Sequence, residues 1–436
     1  MDEYKNEKDL TENTDERVVF DGFDTKNNQE QDIGKKMNLN YDPTLDFSDS
    51  MPEDTGKEPE NTEKPKKKKK EKEPKDIDDF KESKLQDFFH AIFKGFKKSN
   101  RKIGVIYDTI KGIVIVLLLF FLILFFGSSI IHNLLRVVEL SNEYDGKYKN
   151  LQTAGDGMIN VYSEGKGERT IVILPEFGVF NPVMQYKSFA DVLSSSYRVV
   201  TVEPMGYGFG LSTKTARTNQ NIIKELREGL KKAKINGPYI LLTFSNSSIY
   251  ADYYAREYPE EVMGIISINP MFPEELDNEN FKDNYLPNLI SNVKFYSVAS
   301  FSGVFRWMSY IKPSKFNIDL MKENDSYGDK ELEVYRYLLA NKFLTSTQRK
   351  EIDKLQKNME AIKDYKYAND LTTLQIFTSD YVEETSKRTE DVGKLAKNII
   401  RNPDMQKIRS VDGKLTDYLF NKEMTKQIKM IIATYF

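Results

Sequence analysis

The sequence contains no cysteine, which removes disulfides, thiolate metal sites and cysteine nucleophiles together. The compartment must therefore be argued from membrane topology. Histidine is nearly as scarce: His90 and His132 are the only two in 436 residues. No cluster of His, Asp and Glu at ligand spacing is visible in the C-terminal part, so no metal site is expected. Neither a G-x-G-x-x-G fingerprint nor a P-loop is present, and no cofactor is expected. No internal repeat and no RNA or DNA module can be found. The net charge of -3 averages over strongly charged blocks and carries no information about nucleic acid, which is not expected as a partner.

Composition divides the chain. Across residues 1–80 apolar residues are sparse and isolated among Asp, Glu, Lys and Asn, too few to offset the entropy of ordering, so this arm is expected to be disordered. Its basic block, Lys64 followed by Pro65 and Lys66 to Lys70, reads either as a contact for an acidic partner or membrane surface or as a charged spacer. From Gly112 the chain runs GIVIVLLLFFLILFFGSSII, twenty residues without a charge. At about 1.5 Å per residue that run matches a hydrocarbon core of about 30 Å. A core helix of a globular domain needs a polar face, and this one has none. The expected transmembrane helix covers 110–133. Lys94, Lys97, Lys98, Arg101, Lys102 and Lys111 precede it, whereas the following flank has Arg136 and then Glu139, Glu143 and Asp145 before Lys147. The positive-inside rule then puts the arm in the cytoplasm and the C-terminal domain outside the cell membrane. Just before the span, Leu85, Phe88, Phe89, Ile92, Phe93 and Phe96 fall at helical spacing among lysines. Residues 81–102 therefore predict an amphipathic helix on the inner leaflet or one that binds a partner.

After Asp156 short β-rich runs alternate with helical stretches, the pattern of a mostly parallel sheet covered by helices. Strands are predicted at Met158 to Tyr162, Thr170 to Leu174, Arg198 to Glu203, Tyr239 to Phe244, Gly264 to Asn269, Leu374 to Thr378 and Gln406 to Val411. Helices are predicted at Val183 to Leu193, Asn219 to Ala233, Ser247 to Tyr258, Val382 to Ile400 and Lys422 to Ile432. The alternation stops over 272–371. There Ile352, Leu355, Met359 and Ile362 share one helical face behind Thr345, Ser346 and Thr347. This insert reads as a lid over the strand ends, with a small-molecule or protein ligand beneath it, or as a helical decoration.

TIVILPEFG (Thr170 to Gly178), YRVVTVEPMGYGFGLS (Tyr197 to Ser212), GPYILLTFSNSS (Gly237 to Ser248) and YADYYAREYPEEVMGIISINP (Tyr250 to Pro270), followed by a helical insert, resemble the α/β-hydrolase family in their order. The resemblance covers residues 147–436. It implies a nucleophilic serine in a G-x-S-x-G elbow, a position held here by Ser245 in Thr243-Phe244-Ser245-Asn246-Ser247, with both glycines replaced. Ser245 could equally cap the following helix. The resemblance also implies oxyanion donors from the backbone N–H groups of Asn246 and Phe177, and it makes Gly206 to Gly210 the turn after a strand rather than a phosphate cradle. Glu176, beside Phe177, stands where the family usually has glycine. A carboxylate facing the site would oppose the developing oxyanion, whereas one facing solvent would not. Asp380 matches the usual position of the acid and could also be a helix cap, while Asn269 sits where some members place the acid. In the loop where the catalytic histidine belongs, Val411 to Phe420, Asp417 stands in its place. An aspartate is a poor base for a serine hydroxyl near neutral pH.

Three functional readings follow from these expectations. One is a membrane-anchored pseudohydrolase acting as a ligand-binding or protein-interaction module. Another is an active esterase- or peptidase-type serine hydrolase in which Ser245 uses Asp417, Lys414 or a histidine from another chain. A third places the function in the cytoplasmic arm, with the domain as an external sensor.

Overall fold

A computed structural model describes residues 102–436, apart from 142–145, 388 and 390. The arm expected over 1–80 and the amphipathic helix expected over 81–102 lie outside the described residues, except for Lys102. The chain divides into two compact units. One consists of the long helix α1, Lys102–Ser141, together with Phe301–Val304, and the other of the remaining described residues. Within α1, Thr109–Glu139 is long and apolar enough to cross a membrane, and only a small share of its most apolar stretch is buried.

The larger unit is built on one eight-stranded sheet. In chain order its elements begin with β1 (Leu151–Ala154), β2 (Gly157–Glu164) and β3 (Thr170–Leu174). Helices α2 (Pro182–Gln185) and α3 (Lys187–Leu193) lead to β4 (Arg198–Glu203), and α4 (Asn219–Lys232) leads to β5 (Tyr239–Phe244). Then come α5 (Ser248–Glu257) and β6 (Val262–Ile268). After the insert, β7 (Thr372–Thr378), two helices, β8 (Gln406–Val411) and two closing helices complete the unit.

The strand order is β1-β2-β4-β3-β5-β6-β7-β8. β2 runs antiparallel to both β1 and β4, and every other pairing is parallel. Every residue of β3 and β5 is buried. Their sequences, TIVIL and YILLTF, are the near-continuous apolar runs that a parallel strand covered on both faces requires. Helix α4 packs against β1 and β2. Thr218 accepts a hydrogen bond from Asn221 N–H at its start, and Ile222, Ile223, Leu226 and Leu230 are buried in the core. Each such side chain contributes roughly 1.5–3 kcal/mol.

The structure differs from the sequence reading in three places. β1 was not expected, because LQTA carries two polar residues; it is an edge strand paired only to β2 through a tight turn with Gly155 at φ 50°. The predicted helix over Val183 to Leu193 is interrupted at Tyr186. The one predicted over Val382 to Ile400 is two helices, Ser379–Ser386 and Val392–Asn398, with Asp391 capping the second.

The insert between β6 and β7 is helical. Its longer helices are α6 (Leu286–Phe301), α7 (Val304–Ile311), α8 (Ile318–Lys322), α9 (Asp329–Lys342), α10 (Ser346–Ile352) and α11 (Leu355–Glu360). Thr345 caps α10 in a capping box with Gln348. The four apolar residues of the predicted face are all buried, although α10 and α11 are separate helices. The insert is tied to the turn after β4. Thr345 Oγ1 donates to the Gly206 carbonyl at 3.1 Å, and Lys342 Nζ donates to the Gly210 carbonyl at 2.8 Å. Gly206 has φ 85°, and a Cβ there would lie 2.6 Å from Thr347 Cβ, so this close approach needs glycine.

Candidate active site

Ser245 follows β5 directly and opens the turn into α5. Its φ is 48°, a left-handed backbone conformation that a serine adopts only where the surroundings hold it. The neighbouring residues supply that hold. Ser247, fully buried, accepts from Phe244 N–H at 2.9 Å and lies within donor distance of the Leu174 and Phe244 carbonyls. Thr243 Oγ1 lies 3.0 Å from Ser267 Oγ on β6, so the β-branched side chain is accommodated on the strand face away from the turn. Met271 N–H donates to the Ser245 carbonyl at 3.2 Å. Backbone strain at Ser245 has a measurable consequence. Ser245→Gly should leave stability within about 0.5 kcal/mol, whereas Ser245→Val should cost about 2 kcal/mol. Denaturant unfolding of both variants checks this, and equal effects would remove the strain argument.

The oxyanion side of the turn is occupied by the protein itself. Phe177 N–H donates to Asn246 Oδ1 at 2.8 Å, and Asn246 is buried. The donor that would meet a substrate oxygen is thus engaged by the side chain of the residue that carries the other donor. Glu176 is buried rather than turned to solvent, and burial pushes its carboxyl up to about 7. Its backbone N–H donates to Tyr186 Oη at 3.4 Å, and the Tyr186 ring stacks on Phe244 with centroids 4.6 Å apart.

The loops after β7 and β8 adjoin, as Gly413 N–H donates to Ser379 Oγ at 3.0 Å. Both candidate partners of Ser245 in these loops are engaged locally. Asp380 Oδ1 accepts from Thr378 Oγ1 at 2.5 Å and from Tyr381 N–H at 2.7 Å, in the first turn of its helix. Asp417 Oδ2 accepts from Lys414 N–H at 2.9 Å, tying down the start of the helix Leu415–Phe420. Asn269, at the tip of β6 with φ 52°, exchanges hydrogen bonds with Thr378 across to β7, at 2.8 and 2.9 Å. Among the described residues Ser245 Oγ makes no hydrogen bond to a base. Nor do three or more His, Cys, Asp and Glu side chains come together to hold a metal ion among them.

A cavity of about 30 Å³ lies between α4 and the sheet, with Glu351 of the insert at its edge. Its lining includes Leu174, Pro175, Tyr207, Arg217, Tyr250 and Glu351 but not Ser245. It can hold a water and is far smaller than the roughly 300–1,000 Å³ of a small-molecule site.

The strand order with an antiparallel second strand, the strained serine after β5 and the insert after β6 define the α/β-hydrolase fold. No family model matches the chain. An uncharacterized protein of Bacillus subtilis (strain 168), YbdG, is 25% identical over 196 residues, which is 44% of this chain and 57% of that protein. The chain therefore spans little more than half the length of this curated relative. Among solved structures, an epoxide hydrolase from Vigna radiata is similar at a TM-score of 0.49 and 14% identity, covering 66% of this chain and 98% of its own. A thermophilic esterase from Thermogutta terrifontis is similar at a TM-score of 0.43 and 14% identity, with the same coverage.

Proposed function

We propose that this protein is a membrane-anchored pseudohydrolase, a hydrolase fold retained as an extracytoplasmic interaction module. The observation that carries the reading is the serine without a base. Neither histidine of the chain lies in the domain, and Ser245 Oγ has no hydrogen-bonded acid or base among the described residues. The engagement of Phe177 N–H by Asn246 supports it further, because residual catalysis without a complete triad depends on a competent oxyanion hole. One observation favours the alternative of an active hydrolase: the left-handed backbone of Ser245 is the strained elbow conformation that such enzymes use to present a nucleophile.

The orientation rests on the basic flank before the span and the acidic residues after it. One experiment on intact cells tests both parts. Added protease should remove the domain and spare the arm, and a fluorophosphonate probe should leave Ser245 unlabelled. Protection of the domain would reverse the orientation. Stoichiometric labelling at Ser245, lost in Ser245→Ala, would establish an active hydrolase instead.

A further inference from the structure

Arg217 carries more donors than the surrounding protein answers. Its side chain is fully buried, just before α4. Nη1 donates to Glu225 Oε2 at 2.6 Å, whereas Nε and Nη2 meet no acceptor among the protein atoms. Buried N–H groups of a charged side chain are costly without acceptors, so folded proteins supply them, with ordered water where no protein atom serves. The same side chain lines the cavity between α4 and the sheet. An unanswered guanidinium and a cavity therefore occur at one place, and the cavity belongs to the polar cluster rather than to the Ser245 site.

The lining decides what the cavity takes. Tyr207 Oη and Tyr250 Oη both donate to Glu351, at 2.9 and 2.8 Å, and each phenol oxygen keeps a lone pair for a further donor. Glu225 keeps Oε1 as another acceptor, since Nη1 binds its Oε2. A guest must therefore accept from Arg217 and donate to a phenol or carboxyl oxygen. An anion does only the first, and it would enter against Glu225 and Glu351, whose carboxyls already hold the guanidinium charged. An apolar guest does neither. Water does both. A volume of about 30 Å³ holds about two waters, at roughly 10–15 Å³ for each.

We infer that this cavity is an internal hydration site, in which about two waters accept from Nε and Nη2 of Arg217 and donate to the hydroxyl oxygens of Tyr207 and Tyr250 and to the Glu225 carboxyl. The waters complete the shell of a cation that direct contacts leave unfinished. They join the chain before α4, α4 itself, the turn after β4 and α5 into one network, to which Glu351 of α10 is bound through both tyrosines. Hydration here does not depend on whether Ser245 is catalytic or on which side of a membrane the domain lies.

Radiolytic footprinting of the full-length protein in detergent reads internal water, because a hydroxyl radical formed at a bound water modifies the side chain beside it. Tyr254 and Tyr335 serve as references, since both are fully buried and neither lines the cavity. A hydrated cavity predicts that Tyr207 and Tyr250 are labelled on the order of five-fold faster than these two. Val202→Ile adds one methylene at the cavity wall. It should cut that labelling by about half and lower the unfolding midpoint by roughly 3 °C, because it displaces water that Arg217 needs. Labelling of Tyr207 and Tyr250 no faster than that of the references would show a dry cavity and overturn the proposal. So would a midpoint raised by Val202→Ile, the result of filling an apolar void. A midpoint raised by millimolar sodium formate or nitrate would show a small anion beside Arg217 and overturn it as well. Labelling of the unsubstituted protein decides the matter even where the variant does not fold.

Discussion

Arg217→Met should lower the unfolding midpoint of the domain by on the order of 10 °C, the combined result of about 3–5 kcal/mol lost from a buried pair and 2–4 °C per kcal/mol. Arg217 is fully buried, and its Nη1 donates to Glu225 Oε2 at 2.6 Å. Glu351 of the insert lies at the same place, accepting from Tyr207 Oη at 2.9 Å and from Tyr250 Oη at 2.8 Å. Burial lowers the guanidinium's affinity for its proton, but the Glu225 and Glu351 carboxyls outweigh that, so Arg217 is held charged. Burial also raises the Glu351 carboxyl despite Arg217 and the two tyrosines. Without the cation, two buried carboxyls lose their counter-charge. The cluster joins the chain before α4, α4 itself, the turn after β4, α5 and the insert. Asn358 of α11 accepts from Asn219 N–H and Nδ2 at 3.1 and 2.8 Å and donates from its Nδ2 to the Arg217 carbonyl at 2.9 Å. The insert is therefore fastened to the turn after β4, to α5 and to the chain leading into α4 by buried polar contacts as well as by apolar packing. Near-ultraviolet circular dichroism of the full-length protein in detergent follows the tyrosine-rich domain rather than α1. Arg217→Met/Glu225→Gln should recover part of the loss, because one unpaired carboxyl is then removed. A loss below about 1 kcal/mol in the single variant would show that the cluster does not fasten the insert.

The same cluster shows where sequence reasoning stops. β3, β4, β5 and β8 match their predicted limits because their pattern is set locally, by runs of apolar residues bounded by turns. The position of Ser245 was legible for a related reason, since a strand, a small-residue turn and a helix follow one another in sequence. The bond from Phe177 N–H to Asn246 Oδ1 was not, because it joins residues 69 apart and depends on how β3 and β5 align. Burial of Glu176 depends likewise on contacts such as that of its N–H with Tyr186, ten residues on. Arg217, Glu225 and Glu351 carry no motif at all. Asp417 has a local role instead: in the first turn of its helix it accepts from Lys414 N–H, and that role competes with any catalytic one.

The domain should lose stability as the pH rises from 5 to 8.5, the reverse of ordinary acid denaturation, because burial raises several of its carboxyls. Asp252 on α5 is pushed up to about 8, first by burial and then by the Glu274 charge, with the Tyr367 hydroxyl opposing. Its Oδ1 has no hydrogen-bond partner. Glu176 is pushed up to about 7 by burial, and so is Glu203, even with donors from Phe209 N–H, Asn160 Nδ2 and Val183 N–H. A carboxyl whose folded value exceeds its unfolded one binds more protons in the folded state. Its contribution is complete below the ordinary carboxylate range near pH 4 and is lost as the pH passes about 7 to 8. Carboxyls with depressed values act only at the other end of the scale: Glu261, held down by its hydrogen bonds from Arg227, loses its contribution only in acid. Asp252→Asn keeps the size of the side chain and removes the titration. That variant should match the parent at pH 5 and exceed it at pH 8.5 by about 2 kcal/mol, with Glu176→Gln showing a smaller gain centred nearer pH 7. Unfolding midpoints across this range decide the matter. A parent whose stability is level or rises with pH, or an Asp252→Asn curve parallel to the parent's, would show that these carboxyls reach solvent or a counter-ion when ionised.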